Sequence, residues 1–356
     1  MLATLAKPAT ALAVALALVS VVLLALGASP VGVLVALYEG AFGNWYAVSE
    51  TLVKATPLIF AGLAISIAFS GGLWNIGADG QLIVGAIAAG SIGPSLSGAL
   101  HPIAVLTILA AGAIGGAFWG AIAGWLRARR DVNEVISTIM LNFVAAQVLS
   151  WVVHGPLMES SGAYPASSPI AHAAELGFFL PAARLNSGMI LAVAMAIACQ
   201  LCLFRTSAGF ELRAMGLNRR AAKFFGIPIS GITVRAMALS GALAGLGGAV
   251  QVAAITHRLY EKFSPGWGYE AIAVALVARL NPLAVIPAAL FFGALDNGSQ
   301  AMQRAEGVSP VLVQVIQGMA ILVILGFDTP AWTGLRERLA GTSSSGRPAA
   351  SEQADA

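Results

Sequence analysis

The sequence predicts an all-α, polytopic integral membrane protein of about ten transmembrane helices, with short or broken helices in each half and a short cytoplasmic helix. Apolar residues make up 58% of the 356 residues and charged residues only 10%, whereas a soluble domain carries about 25% charged residues. Long uncharged runs recur along the chain, and basic residues cluster in the short connections between them. The basic residues in the short connections argue against a nucleic-acid-binding protein, because such residues set the orientation of a membrane protein.

The uncharged runs are long enough to cross a bilayer, since a hydrocarbon core of about 30 Å needs roughly 20 apolar helical residues. The run over 80–126 is long enough for two crossings, with a turn at 98–102. The first run is too long for the core of a signal peptide and is interpreted as a retained helix. Eight crossings follow from the runs 8–38, 55–78, 80–126, 135–158, 185–204, 236–256 and 307–327.

Two weaker crossings are predicted in the second half of the chain. Only eight uncharged residues separate Glu270 from Arg279, and a helix over 268–280 covers about 20 Å, which is less than the bilayer thickness. Asn281 then interrupts the chain before a second apolar piece of similar length, 283–295. Glu270 and Asn281 are therefore candidates for a polar path through the membrane, although Glu270 also suits an interfacial position.

The distribution of charge predicts the side that each connection faces. Residues 205–235 contain six basic residues and one acidic residue, a net charge of +5 that indicates the cytoplasm. Residues 155–187 contain one basic and two acidic residues, which suits an external loop. Lys7, Arg336 and Arg338 place both termini in the cytoplasm, which requires an even number of crossings. One transmembrane domain, 1–335, is thus followed by a tail, 336–356, whose composition predicts disorder.

Catalysis and cofactor binding are not expected of this chain. None of its four lysines follows a glycine, so the phosphate-binding pattern GxxxxGK[ST] is absent and any ATP and Mg²⁺ would be bound by another subunit. The four histidines lack the spacing of metal ligands. Cys199 and Cys202 lie within an apolar run and are interpreted as packing residues.

The polar segment GGLWNIGADGQ, residues 71–81, interrupts the first half of the chain. Short or glycine-broken apolar segments at matching positions of two halves point to a transport site. Asn75 and Asp79 are four residues apart and are expected to share one face of a helix. Asn75, Asp79 and Gln81 either line a polar path or belong to a cytoplasmic turn in which Asn75 caps a helix. Trp74 either stacks on a flat solute or lies at the membrane interface.

The cytoplasmic loop carries signals for two short helices. Ser207 is predicted to cap the first helix and Gly216 to end it. Asn218 is predicted to cap a second helix over 219–225, and Gly226 to adopt the left-handed conformation that ends it. This basic, Phe-containing helix lies either on the anionic inner leaflet or in a groove of a partner protein. The explicit stop signals favour the partner protein.

Three segments resemble permease subunits of bacterial ABC importers of the branched-chain amino acid/ribose type, in the nucleoside and simple-sugar branch. GLWNIGADGQ is similar to the family signature Phe-Asn-Ile-Gly-Ala-Glu-Gly-Gln, with Trp74 in place of Phe and Asp79 in place of Glu. GFELRAMGLNRRAAKFFGI, with the later LSGALAGLGG, resembles the coupling region. SPGWGYEAIAVALVARLNPLAVIPAALFFGAL resembles the late short-helix region. Together with the ten-crossing layout, the resemblance covers most of the chain from about residue 50 to 327.

The resemblance implies a subunit of the bacterial plasma membrane that imports nucleosides, or, in falling order, simple sugars or branched-chain amino acids. The implied partners are a second, related permease in a heterodimer, a cytoplasmic ATPase and an external solute-binding lipoprotein. A secondary transporter or channel that works without ATP is the alternative. The candidate residues for the translocation path are Trp74, Asn75, Asp79, Gln81, Glu270 and Asn281. The candidates for contact with the ATPase are Arg213, Gly216, Asn218, Arg219, Ala221, Ala222 and Gly226.

Overall fold

A computed structural model describes residues 29–160, 164–180 and 183–307, together with single residues outside these ranges. Residues 31–313 form one compact unit, and only a few residues of the remainder are described. The predictions for most of the first crossing, for most of the crossing at 307–327 and for the tail after 335 lie outside the described residues.

The described part of the chain is almost entirely α-helical, which confirms the predicted class. A small antiparallel hairpin joins β1 (Phe178–Leu180) to β2 (Ala183–Asn186). The α-helices are, in chain order, α1 (Pro30–Phe42), α2 (Trp45–Ser70), α3 (Ala78–Ile92), α4 (His101–Arg130), α5 (Glu134–His154), α6 (Ser187–Arg205), α7 (Ser207–Leu217), α8 (Arg219–Phe224), α9 (Ile229–Gln251), α10 (Trp267–Val277) and α11 (Pro282–Glu306).

Five of the described helices are long and apolar enough to cross a membrane: α2, α4, α5, α6 and α9, the last extended by a π-helical turn over Val252–Thr256. The chain is therefore a multi-pass membrane protein. Helices α3 and α10, with 15 and 11 residues, are too short to cross as helices alone. The count of ten crossings stays a prediction.

Glycines bring α4 and α9 into backbone contact. Gly112, Gly116 and Gly120 repeat at every fourth position of α4 and are buried. A Cβ placed on Gly245 of α9 would lie 2.8 Å from the Cα of Gly116. Helices pack this closely only where side chains are very small, so α9 lies against the glycine face of α4.

The second half of the chain differs from the two equal short helices that its sequence predicts. Helix α10 ends at Val277, because Arg279 and Leu280 have positive φ angles of 52° and 58°. Helix α11 does not end at residue 295 but continues to Glu306. Its polar residues are accommodated by neighbouring helices: the Lys54 ammonium lies 2.8 Å from the Asp296 carboxylate.

Residues 155–187 and the helix pair α7–α8 lie at opposite ends of α6. This helix has 19 residues and is about 28 Å long. The Ser167 amide donates to the Leu259 carbonyl at 2.9 Å, and Arg258 pairs with Glu159 at 3.1 Å. The loop after α9 therefore lies at the same end as residues 155–187, in agreement with the predicted separation of the two connections.

Candidate functional site

The polar segment between α2 and α3 is non-helical. Helix α2 ends at Ser70, and Gly72 adopts a φ of 69°, a left-handed conformation that glycine adopts without steric cost. Residues 73–76 have no regular secondary structure, and α3 begins at Ala78. The chain reverses its course here through an irregular stretch of backbone.

Asn75 holds this stretch in place from a fully buried position. Its amide nitrogen donates to Gln81 Oε1 at 3.0 Å and to Ser240 Oγ at 2.8 Å. Its amide oxygen accepts from Gln81 Nε2 at 3.2 Å and from the Gly77 amide at 2.9 Å. The Ser240 hydroxyl in turn donates to the Ala64 carbonyl at 2.6 Å. One asparagine thus ties the break to α2, α3 and α9.

Asn75 and Asp79 do not share a helical face, and this prediction is wrong. Asn75 precedes the helix, whereas Asp79 lies in the first turn of α3. The N-cap position belongs to Gly77, which has no side chain to cap the helix. Asn75 bonds to Gln81, six positions later, and to Ser240, 165 positions later, and helical spacing does not reveal the second partner.

Asp79 points toward the second half of the chain. Its Oδ1 accepts from the Ser264 hydroxyl at 2.7 Å and from the Gly268 amide at 3.0 Å. The segment before α10 and the first turn of α3 therefore meet at this carboxylate. The first interruption therefore meets the start of α10, whereas the predicted second interruption, Asn281, follows the other end of that helix.

Asn142 of α5 is a second link between the same regions. It accepts from the Gly80 amide at 2.8 Å and donates to the Ile76 carbonyl at 2.9 Å and the Tyr269 hydroxyl at 3.0 Å. Sequence reasoning missed Asn142, as well as Ser240 and Ser264. For Asn142 and Ser240 the available signal was a lone amide or hydroxyl within an apolar helix, which needs a partner when buried. Ser264 lies in the non-helical segment before α10 and gave no such signal.

The remaining candidates for the translocation path occupy different surroundings. Trp74 is 54% exposed, and its ring lies 4.8 Å from the Phe69 ring. Glu270 lies in the first turn of α10. Asn281 Oδ1 accepts from the amides of Leu283 and Ala284 at 3.0 and 3.3 Å, so this side chain caps α11. The structure therefore joins Asn75 and Gln81 by hydrogen bonds. Asp79 contacts the first turn of α10, which also contains Glu270, and Asn281 lies at the start of α11.

Residues 205–235, the predicted cytoplasmic loop, contain the two short helices that the sequence predicts. The Asn218 oxygen accepts from the amides of Arg220 and Ala221, both at 3.0 Å, which confirms that Asn218 caps α8. Gly226 has a φ of 81°, which confirms its left-handed conformation. The prediction for the first cap is wrong by one residue: the Thr206 hydroxyl accepts from the Gly209 amide at 3.1 Å. The Thr206 hydroxyl also donates to the Cys202 carbonyl of α6 at 2.6 Å, which holds Thr206 at the junction of the two helices.

The sequence predicts that Gly216 ends α7. This prediction is wrong, because the helix continues to Leu217. The small size of Gly216 serves packing instead. A Cβ on Gly216 would collide with the Ser70 carbonyl oxygen and lie 3.0 Å from the Gly72 nitrogen. Leu212 of the same helix packs against Gly71. Helix α7 therefore touches the backbone at the start of the break.

Helix α8 presents a basic and aromatic face to the outside. Arg219, Phe224 and Phe225 are exposed, the two phenylalanines to 87% and 80%. Ala222 is buried against the rest of the chain, and Ala221 is partly buried. Among the candidates for contact with a partner, the exposed ones are therefore Gly216, Asn218, Arg219 and Gly226.

Arg213 binds within the chain. Its Nε donates to the Leu203 carbonyl at 3.0 Å, and its guanidinium carbon lies 4.8 Å from the centre of the Phe204 ring. These contacts join α7 to the end of α6, so Arg213 orients the helix pair.

Comparison with known sequences decides the family. Residues 47–325 match a family described as the permease component of a branched-chain amino acid transport system. The chain belongs to this permease family. The match covers the polar break, the helix pair α7–α8 and all of α9 to α11.

Three relatives show the range of solutes named within this group of permeases. The permease is 35% identical to the glucose ABC transporter permease protein TsgB13 of Haloferax volcanii, over 89% of this chain and 86% of the relative. It is 33% identical to the guanosine ABC transporter permease protein NupP of Bacillus subtilis, over 89% and 92%. It is 29% identical to NupQ, a second guanosine permease protein of that bacterium, over 69% and 79%.

Proposed function

We propose that this permease forms part of the translocation path of an ATP-driven importer of nucleosides. The observation that carries the proposal is the buried Asn75 network at a non-helical break, in a chain of this family. Irregular backbone at membrane depth is tolerated where protein buries it or where it lines a water-filled cavity. At Asp79 the break also contacts the start of the short helix α10, and short or broken helices are typical of a transport site.

The partners in this proposal are a second permease, an ATPase and an external solute-binding lipoprotein. NupP and NupQ, two guanosine permease proteins of one bacterium, support a pair of different permeases. The exposed basic and aromatic face of α8 supports docking on a cytoplasmic protein, which would bind the ATP and Mg²⁺. The subunit would lie in the plasma membrane of a bacterium, with ten crossings and both termini in the cytoplasm.

Simple sugars are the second candidate solutes, because TsgB13, a glucose permease protein, shares 35% identity with this chain. Both candidates are uncharged molecules with several hydroxyl groups. Their recognition needs hydrogen-bonding groups and no charged counter-group in the path.

Uptake measurements test the proposal. Cells with and without the gene are given labelled guanosine, uridine, glucose and leucine in separate assays. Loss of nucleoside uptake on deletion, with recovery on complementation, is the expected result. Loss of glucose uptake alone would favour the sugar alternative, and loss of leucine uptake alone would favour the amino acid. Unchanged uptake of all four solutes contradicts the proposal.

Dependence on ATP separates the importer from a secondary transporter or channel. Genes for an ATPase and a solute-binding lipoprotein are expected beside this one. In reconstituted vesicles, uptake should require those two proteins and internal ATP. Uptake by the permease alone, driven by an ion gradient, would support the alternative.

A further inference from the structure

Asp79 joins the first turns of two helices that belong to different halves of the chain. The residue lies in the first turn of α3, and its Oδ1 accepts from the Gly268 amide in the first turn of α10 at 3.0 Å. The same oxygen accepts from the Ser264 hydroxyl at 2.7 Å. The Ser264 oxygen also accepts from the amides of Gly266 and Trp267 at 3.2 and 3.3 Å. The carboxylate and the hydroxyl thus form one network around the start of α10.

The two helix starts are in direct backbone contact. A Cβ placed on Gly268 would lie 2.6 Å from the Cβ of Asp79 and would collide with the Asp79 amide nitrogen. No side chain larger than hydrogen fits between the helices here without a shift of one of them. The separation of α3 and α10 is therefore fixed by a glycine and held by the bonds of Asp79.

The charge of Asp79 suits this position for a physical reason. The amides at the start of a helix carry partial positive charge, which stabilises a nearby anion. Here one carboxylate lies at the start of two helices at once. Its bonds to N–H and O–H donors are charge-assisted and stronger than those of a neutral acceptor. Asp79 is also buried, so solvent competes little for these bonds.

We propose that Asp79 is a positioning residue for transport, which clamps the start of α10 to the start of α3. The two helices then move as one body while the solute passes, and the Asp79 carboxylate itself does not contact the solute. This inference rests on the proposed function, because it is tested by measurements of transport. It gives Asp79 a role different from that of a path-lining residue.

Cysteine cross-linking tests whether α3 and α10 move together. In a background with Cys199→Ala and Cys202→Ala, the double variant Asp79→Cys/Ser264→Cys is oxidised with copper phenanthroline in membranes that contain the full complex. The cross-link is expected to form, and the oxidised protein should transport within about twofold of the cysteine-free parent. The uptake rate of the single variant Asp79→Cys should fall about tenfold, as expected for the loss of a charge-assisted hydrogen bond.

Two results of the cross-linking experiment would overturn the clamp. One is an oxidised double variant that is inactive and regains uptake on reduction, because the helices would then have to separate during transport. The other is the absence of any cross-link. Cross-link formation is measured without a solute, so it tests the contact even if the permease carries none of the candidate solutes.

A substitution series separates positioning from folding and from solute contact. Asp79→Ala should lower the uptake rate per assembled complex about tenfold and Asp79→Asn about threefold, since the amide keeps an acceptor but loses the charge. Asp79→Glu, the residue of the resembling family, should remain close to the parent. The control Asp131→Asn removes an exposed carboxylate at the end of α4 and should change nothing.

The half-saturating solute concentration should stay constant across the Asp79 series. A rise of tenfold or more would instead place the carboxylate in contact with the solute. A fall in the amount of assembled complex at an unchanged rate per complex would assign Asp79 a structural role only. Failure of the wild-type complex to transport any candidate solute would count against the proposed function and not against the clamp.

Discussion

Two asparagines, Asn75 in the break and Asn218 between α7 and α8, have opposite kinds of partner. Asn218 is exposed, and its oxygen accepts from amides two and three residues later. Asn75 is fully buried and bonds to Gln81 on α3 and Ser240 on α9. Local bonds shape a helix end, whereas distant bonds hold elements together. The break is therefore an internal part of the fold, whereas α8 and its cap are exposed on the surface.

The largest effect is expected from Asn75→Ala. Removal of this amide leaves the buried Gln81 side chain without the bonds that Asn75 supplies and removes the donor to the Ser240 oxygen, at a cost of about 3 kcal/mol in the free energy of unfolding. Thermal unfolding of the purified protein in detergent measures the loss. The matched control Asn218→Ala removes only a helix cap and should cost about 1 kcal/mol. Equal losses for the two variants would contradict the distinction between the two asparagines.

The same contrast explains how much of the structure the sequence could reveal. Asn218 and Gly226 were predictable because their roles depend on residues within a few positions, such as the amides that Asn218 caps. The direction of Asn75 was not, because Ser240 is 165 positions away. Asp79 likewise bonds across 185 and 189 positions. The sequence therefore located the polar break but not its partners.

The role of Gly216 depends on a packing contact with the end of another helix, which the sequence does not show. A glycine near the end of a helix is typical of a helix stop, but this one permits α7 to approach the Ser70 carbonyl. In the second half, the expected end of α11 at residue 295 rested on the charge of Asp296. Lys54 pairs with that charge, so the helix continues.

The second prediction concerns this contact between α7 and the break. Gly216→Ala places a methyl group against the Ser70 carbonyl and should lower the free energy of unfolding by about 1–3 kcal/mol. Gly231→Ala in α9 is the matched control, because a Cβ added at Gly231 meets no atom within 4 Å. This substitution should be neutral or slightly stabilising. Thermal unfolding in detergent reports both. A neutral Gly216→Ala would show that α7 does not press on the break.

The third prediction addresses the end of α8. Gly226 has a φ of 81° and open space around its Cα, so a side chain there is opposed by backbone strain and not by packing. Gly226→Val should cost about 1–2 kcal/mol locally and should uncouple ATP hydrolysis from uptake while the protein still inserts. Asparagine adopts the left-handed conformation more readily than valine, so Gly226→Asn should retain more uptake than Gly226→Val. Identical behaviour of the two variants would argue against a requirement for this conformation.

The smallest effect on stability and a large effect on transport are expected from Arg219→Glu. The side chain is exposed at the start of α8, so its reversal should change the free energy of unfolding by no more than about 0.5 kcal/mol. Uptake per molecule of ATP hydrolysed should nevertheless fall, because the basic face of α8 would no longer match its partner. Arg130→Glu, an exposed arginine at the end of α4, is the matched control and should transport normally.

The ratio of transport to hydrolysis in reconstituted complexes distinguishes docking from membrane attachment for Arg219→Glu. If α8 lay on the anionic leaflet, the variant would lose affinity for acidic lipid vesicles, and its coupling ratio would depend on lipid charge. If α8 docks on the ATPase, the ratio falls equally in neutral and anionic vesicles. Unchanged uptake in both kinds of vesicle would contradict a coupling role for this face.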